Sequence, residues 1–232
     1  IDNLVLSAGI RHDQHSTFGG HTTGRGTVSY SFDQTGTRLH SSYGTGFRAP
    51  SLYQLYAPWG MGNPDLQPET SRSLDAGIEQ TFLDGRLTAD LTYFWIEVDN
   101  LIDWDSSTYS YQQLPGTTRS QGIEASFSYA ANDWLDLGGS YTYTDARLES
   151  GERRRNVPRN MVTLSATAKP AEKWTLSGDI KLAADTVDGV GKLKDYVLLN
   201  AKVAYQANES TELYLRGENL LNQNYEVVRG YN

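Results

Sequence analysis

Cysteine is missing from this 232-residue chain. That absence excludes a disulfide framework, a thiol nucleophile and a thiolate metal site. Basic residues are in short supply: 20 Lys+Arg stand against 28 Asp+Glu, a formal charge of −8. A nucleic-acid partner is therefore not expected, because binding phosphates needs a basic footprint. No apolar run approaches the roughly 18 residues that a membrane helix requires. No spaced His/Asp/Glu metal motif, glycine-rich phosphate loop or nucleophile elbow is present either, so no enzymatic activity is expected.

What is present is alternation with a period of two, the mark of strands with unlike faces. Leu4, Leu6, Ala8 and Ile10 share one face, and Val28, Tyr30 and Phe32 another. Leu74, Ala76, Ile78 and Phe82 oppose Ser73, Asp75, Gly77 and Glu79, and Leu87, Ala89, Leu91, Tyr93 and Trp95 oppose Thr88, Asp90 and Thr92. The same reading continues through Ile123–Tyr129, Leu135–Tyr143, Val162–Ala168, Trp174–Leu182, Val197–Tyr205 and Thr211–Asn219. About 11 strands result, with no convincing helix and no internal linker. A mean hydropathy of −0.54 does not argue against a membrane. A membrane strand needs only about 9–11 residues with every second one apolar.

The connections alternate in length. Short turns are expected at Asp33–Gly36, Asp84–Gly85, Ala130–Asp133, Pro170–Lys173 and Ala207–Ser210. Long loops are expected at Asp13–His21, Arg48–Glu69, Asp99–Thr118, Asp145–Asn160 and Asp185–Asp195. A transmembrane barrel segregates loop length in this way, with tight turns on one rim and long exposed loops on the other. Trp95, Trp134, Tyr143, Trp174 and Tyr205 lie near the ends of apolar faces, where amphipathic rings suit the membrane–water boundary. Asp75, Glu79, Asp90, Glu124, Asp179 and Lys181 on the opposite faces suit a hydrated lumen. A soluble β-sandwich, with the aromatics closing its core, is the competing reading. The fold class drawn is all-β, an antiparallel transmembrane β-barrel.

The stretch Tyr43–Glu69 breaks the pattern with Pro50, Pro58, Pro64 and Pro68 among aromatics and glycines. Such a composition reads as a long structured loop, and long loops are usually functional. Its ends, Phe47-Arg48-Ala49-Pro50 and Asn63-Pro64-Asp65-Leu66-Gln67-Pro68-Glu69, resemble a box found in TonB-dependent outer-membrane transporters. So do Asp99–Asp105, Ser120–Ala125, Tyr141–Arg147 and Glu218-Asn219-Leu220-Leu221 followed by Tyr225. The likeness is strongest to the cobalamin (vitamin B12) receptors of that family.

The resemblance implies a 22-stranded barrel in the outer membrane of a Gram-negative bacterium, filled by an N-terminal plug and energised by TonB. Residues 1–232 would be its C-terminal portion, with the plug, its TonB box, the first half of the barrel and the last strand lying outside. It implies uptake of cobalamin, with ferric-siderophore uptake as the alternative and a passive porin behind both. The implied partners are cobalamin or a ferric siderophore, TonB, the chain's own plug and outer-membrane lipid. No cofactor is expected in this portion; calcium is possible in the full-length receptor.

The candidate ligand-binding residues lie on the organising loop: Arg48, Tyr53, Tyr56, Trp59 and Asn63, beside Met61. Aromatics there suit stacking on a corrin or an aromatic siderophore, and suit equally well packing of the loop against the wall and plug. Arg48 and Glu69 could also pair across the loop base. The family's haem receptors place a histidine within this box; this chain has none between Phe47 and Glu69, which speaks against haem. No metal site is expected. Asp103 and Asp105 are weak candidates for calcium oxygens. His12, His15 and His21 with Asp13 read as a solvated loop, as do Arg153, Arg154, Arg155 and Arg159.

Overall fold

A computed structural model of the chain describes residues 3–231. Thirteen strands form: β1 (Leu4–His15), β2 (Gly19–Phe32), β3 (Thr37–Arg48), β4 (Glu69–Phe82), β5 (Leu87–Asp99), β6 (Ile102–Asp105), β7 (Ser110–Gln113), β8 (Thr117–Asn132), β9 (Leu135–Arg147), β10 (Asn160–Ala171), β11 (Trp174–Ala184), β12 (Tyr196–Asn208) and β13 (Thr211–Gly217). Eleven of them make one antiparallel sheet in chain order, from β1 to β5 and then from β8 to β13. β6 and β7 pair separately as a small hairpin inside the long loop. Every wall strand pairs only with its neighbours in sequence, and β1 and β13 are the open edges.

Cross-strand register keeps the two faces apart. On one face Ile78 lies opposite Leu91, Leu91 opposite Ala125, and Ala125 opposite Tyr141. This apolar face is largely exposed, as a face meant for lipid would be: Leu6, Leu74, Ile78, Leu91, Ile123, Leu164 and Ile180 are all open to the surroundings. The other face is polar and its side chains pair across strands. Arg38 donates to Glu79, His40 Nε2 lies 2.9 Å from Asp90, Ser42 donates to Asp75 at 2.5 Å, and Asn200 donates to Asp179 at 2.8 Å.

The aromatics fall at two levels of the apolar face. Near the short turns, Tyr30 meets Phe32 edge-on and Trp174 meets Tyr205, with ring centroids 4.7 and 4.9 Å apart. Toward the other rim, the Tyr93 hydroxyl donates to Gln121 at 3.3 Å and the Tyr141 hydroxyl to Asn160 at 2.8 Å. Rings exposed on the apolar band with hydroxyls reaching polar partners mark its upper boundary.

Two expectations change. The first long loop does not exist: β1 runs to His15 and β2 begins at Gly19, leaving only residues 16–18 between them. The long rim therefore has one tight connection. His12, Asp13, His15 and His21 are strand residues rather than a solvated loop. His12 lies 2.9 Å from the Thr22 hydroxyl, His15 Nδ1 accepts from Thr17 N at 3.1 Å, and His21 stacks on Phe47 at 3.7 Å. A helix is present after all, the short α1 (Leu52–Tyr56). The long loop expected after β5 is present and carries the β6–β7 hairpin. The short turns stand where expected, on the opposite rim.

Candidate functional site

The loop 49–68 is closed at its base by a single cross-strand pair. Arg48 ends β3 directly opposite Glu69 at the start of β4. Arg48 Nε donates to Glu69 Oε2 at 2.6 Å, and its Nη2 donates to Oε1. The Ile102 amide donates to the same Oε1 at 2.8 Å. One carboxylate thus fastens the loop base to the start of β6. Glu69 is only 7% exposed, and burial alone pushes its carboxyl up. The Arg48 fork and the Ile102 amide outweigh burial, with the charge of Arg154 adding to them, so the group sits below the ordinary carboxylate value.

Above the base, Ser51 begins α1 with a reciprocal cap. Its hydroxyl accepts from Gln54 N at 3.1 Å, while the Gln54 side chain accepts from Ser51 N at 2.9 Å. The cap aims Leu55 inward, where it meets Leu66 and Ile102, with Phe18 and Tyr111 packed alongside. This small core joins residues from three connections. The chain doubles back at Gly62, where an added Cβ would lie 2.5 Å from Ala57 N. Only glycine fits so close an approach.

Hydrogen bonds tie this loop to the β6–β7 hairpin. Tyr111 N donates to Met61 O at 3.0 Å, and Asn63 Nδ2 donates to Tyr111 O at 3.1 Å. Gln113 accepts from Gln67 N at 3.0 Å and donates to Gln67 O at 2.9 Å and to Asn100 O at 2.7 Å. The two loops make one structural unit.

The candidate residues divide between its base and its surface. Arg48 and Asn63 are held within the scaffold of the unit. Tyr53, Tyr56 and Trp59 stand on its surface, 58%, 66% and 89% exposed. Trp59 is held at φ 58°, a left-handed backbone costly for a bulky residue. Tyr53 meets Tyr111 edge-on at 6.1 Å, and Tyr111 meets Trp104 at 5.2 Å. Trp104 enters the sequence reading only as part of the Asp99–Asp105 stretch, and Tyr111 and Gln113 belong to no motif. The signal available was the alternation of Ile102 with Trp104 and of Tyr111 with Gln113, which marks a hairpin with one packed face.

Asp103 and Asp105 serve local geometry. Asp103 Oδ1 accepts from Trp104 N at 2.8 Å. Asp105 accepts from Ser107 Oγ at 2.7 Å, Ser107 N at 2.8 Å and Thr108 Oγ1 at 3.2 Å. The Ser107 hydroxyl and amide, with Thr108, hold its carboxyl below the ordinary value. Among the described residues, no group of three or more His, Cys, Asp or Glu converges as a metal site.

The arginine-rich loop 148–159 is not simply solvated. Arg153 and Arg159 each reach Asp185 at 3.1 Å. In the next loop, Asp188 accepts from Nε of Arg229, which lies beyond β13, at 2.5 Å, and this bond together with the Val190 and Gly191 amides lowers the Asp188 carboxyl to about 2. The loops of this rim are therefore braced by ion pairs and backbone bonds.

The family model described as TonB-dependent receptor-like β-barrel matches residues 1–220. The vitamin B12 transporter BtuB of Vibrio cholerae is 29% identical over 98% of this chain and 38% of its own length. The metal-pseudopaline receptor CntO of Pseudomonas aeruginosa is 30% identical over 74% of this chain and 26% of its own. Among solved structures, the ferric enterobactin receptor PfeA of Pseudomonas aeruginosa superposes with a TM-score of 0.76. It is 21% identical, across 95% of this chain and 38% of that one. The chain spans about two fifths or less of the length of the curated relatives it matches.

Proposed function

Because the chain belongs to the TonB-dependent receptor β-barrel family of the Gram-negative outer membrane, we propose that its parent receptor carries out TonB-coupled uptake of cobalamin. One observation carries this reading: the likeness to a vitamin B12 transporter runs along 98% of the chain rather than over a part of it. The loop unit is consistent with that ligand. Tyr53, Tyr56 and Trp59 offer ring faces to the broad apolar surface of a corrin, while Arg48, Glu69 and Asn63 hold the platform that presents them. The plug and TonB act as partners from outside these residues, and the place for calcium is in loops of the full-length receptor.

Uptake of a metallophore or ferric siderophore is the second reading, favoured by the match to a metal-pseudopaline receptor. Binding by the purified full-length receptor separates the two. Saturable retention of cyanocobalamin, with no retention of a ferric catecholate, is the expected result. The reverse pattern would transfer the assignment to the second reading. In the first case Trp59→Ala together with Tyr56→Ala should weaken cyanocobalamin binding by about tenfold, the worth of two modest ring contacts.

A further inference from the structure

The lipid-facing side of the wall does not stay apolar to the end of the strands. On β8 the outward residues run Tyr129, Phe127, Ala125, Ile123, Gln121, Arg119, and on β9 they run Leu137, Gly139, Tyr141, Tyr143, Asp145, Arg147. From Tyr129 to Arg119, at about 3.3 Å per residue and a tilt of about 40°, the climb is about 25 Å, the height of the apolar band of a membrane barrel. Arg119 and Arg147 thus stand on the outer surface at the level of lipid headgroups.

These two arginines are direct cross-strand partners. Like charges in that position destabilise a sheet unless an anion intervenes. The protein's own carboxylates compensate only part of each fork. Arg119 places Nε and Nη2 on Glu97 Oε1 at 3.0 and 2.6 Å, which leaves Nη1 without an acceptor among the described residues. Arg147 places Nε on Asp145 at 2.8 Å and Nη1 on Gly151 O at 3.0 Å, which likewise leaves Nη2 without one among the described residues. Beside them lies a cleft of about 340 Å³, lined also by Leu148, Glu149 and Gly151 of the following loop. Of its carboxylates, Asp145 gives Oδ2 to Arg147 while its Oδ1 is buried away from solvent, 3.7 Å from Arg159 and without a hydrogen-bond donor, and Glu149 accepts from Thr117 N at 3.1 Å.

We propose that this cleft binds the phosphate monoester of a membrane lipid headgroup, with Arg119 Nη1 and Arg147 Nη2 as donors. The position supplies the argument for a lipid over a soluble anion. The cleft opens on the side that carries Tyr141 and Tyr143 into the bilayer, not toward the lumen that a transported ligand crosses. Arginine forks with unspent donors match a tetrahedral phosphate in charge and spacing.

The test uses the full-length receptor, with native mass spectrometry counting lipids retained after reconstitution. One set of vesicles is phosphatidylcholine alone and the other contains an added fraction of phosphatidic acid. Wild type should retain phosphatidic acid over phosphatidylcholine by about tenfold, and Arg119→Gln with Arg147→Gln should abolish the preference. No preference in wild type overturns the proposal, and so does a preference that survives in a double variant still showing heat-modifiable barrel migration. If the double variant does not fold, Arg147→Gln alone serves, with about half the effect expected on a logarithmic scale. Displacement of the retained lipid by inorganic phosphate alone would assign the cleft to a soluble anion and overturn the lipid reading.

Discussion

Arg48 and Glu69 are the last cross-strand pair of β3 and β4, and the whole twenty-residue excursion between them begins and ends on that one ion pair. The same carboxylate also receives the first amide of β6, so two loops far apart in sequence hang from one side chain.

Removing that side chain should loosen both loops together. Glu69→Ala strands the Arg48 fork and leaves the buried Ile102 amide without its acceptor, at a cost of about 1–3 kcal/mol to local opening. Glu69→Gln keeps one acceptor and should cost less. Hydrogen exchange of the amides in Ile102–Gln113 and around Leu55 reports this. Loss of protection in only one of the two loops would show that they are not a single unit.

The pH dependence of the same unit follows from the depressed Glu69 carboxyl. A group whose folded pKa lies below its unfolded value stabilises the fold above the unfolded value and loses that contribution as pH falls through the folded one. Protection of Ile102–Gln113 should therefore hold constant from neutral pH to the ordinary carboxylate value of 4.5 and decline only below it. A decline centred above 4.5 would mean that the pair does not hold the loops.

The two faces of the wall should respond oppositely to charge. Leu91 faces lipid between Ile78 and Ala125, and Leu91→Arg should cost about 2–4 kcal/mol as at other mid-bilayer positions. Ser126 faces the lumen between Asp90 and Ser140, and Ser126→Arg should cost little, with Asp90 at hand for its charge. Urea unfolding of the full-length barrel in bilayers measures both.

These 232 residues contain no cysteine, so single cysteines introduced among them meet no competing thiol in this portion of the receptor. In cells carrying the full-length receptor, a membrane-impermeant maleimide should label Ser150→Cys and Trp59→Cys. It should not reach Asp84→Cys or Asp133→Cys on the short-turn rim. Labelling of the short turns from outside would invert the orientation.

The wall was legible in the sequence because each strand crosses two unlike solvents, lipid and water, and writes that difference in every second residue. The signal fails where it should. Beyond the apolar band both faces of a strand meet water, so Asp13–His21 carries no alternation and reads as a loop although β1 and β2 run through most of it. The Arg48–Glu69 pairing could be anticipated from the ends of the proline-rich stretch. The rest of the loop unit could not: Leu66 sits among polar residues yet is 1% exposed, and its partners Leu55, Ile102 and Phe18 come from distant stretches. Contacts made between loops leave no periodic trace in either one. The arginines of 153–159 read as solvated for the same reason, since their partner Asp185 belongs to another connection.

The unbroken neighbour-to-neighbour order of the eleven wall strands has a consequence for inheritance. No segment crosses over another, so duplicating or deleting one whole hairpin leaves every remaining pairing, facing and rim intact, whereas losing a single strand turns all that follow upside down. Genetic change in such a wall is tolerated in units of two strands, and the connection carried by each pair travels with it.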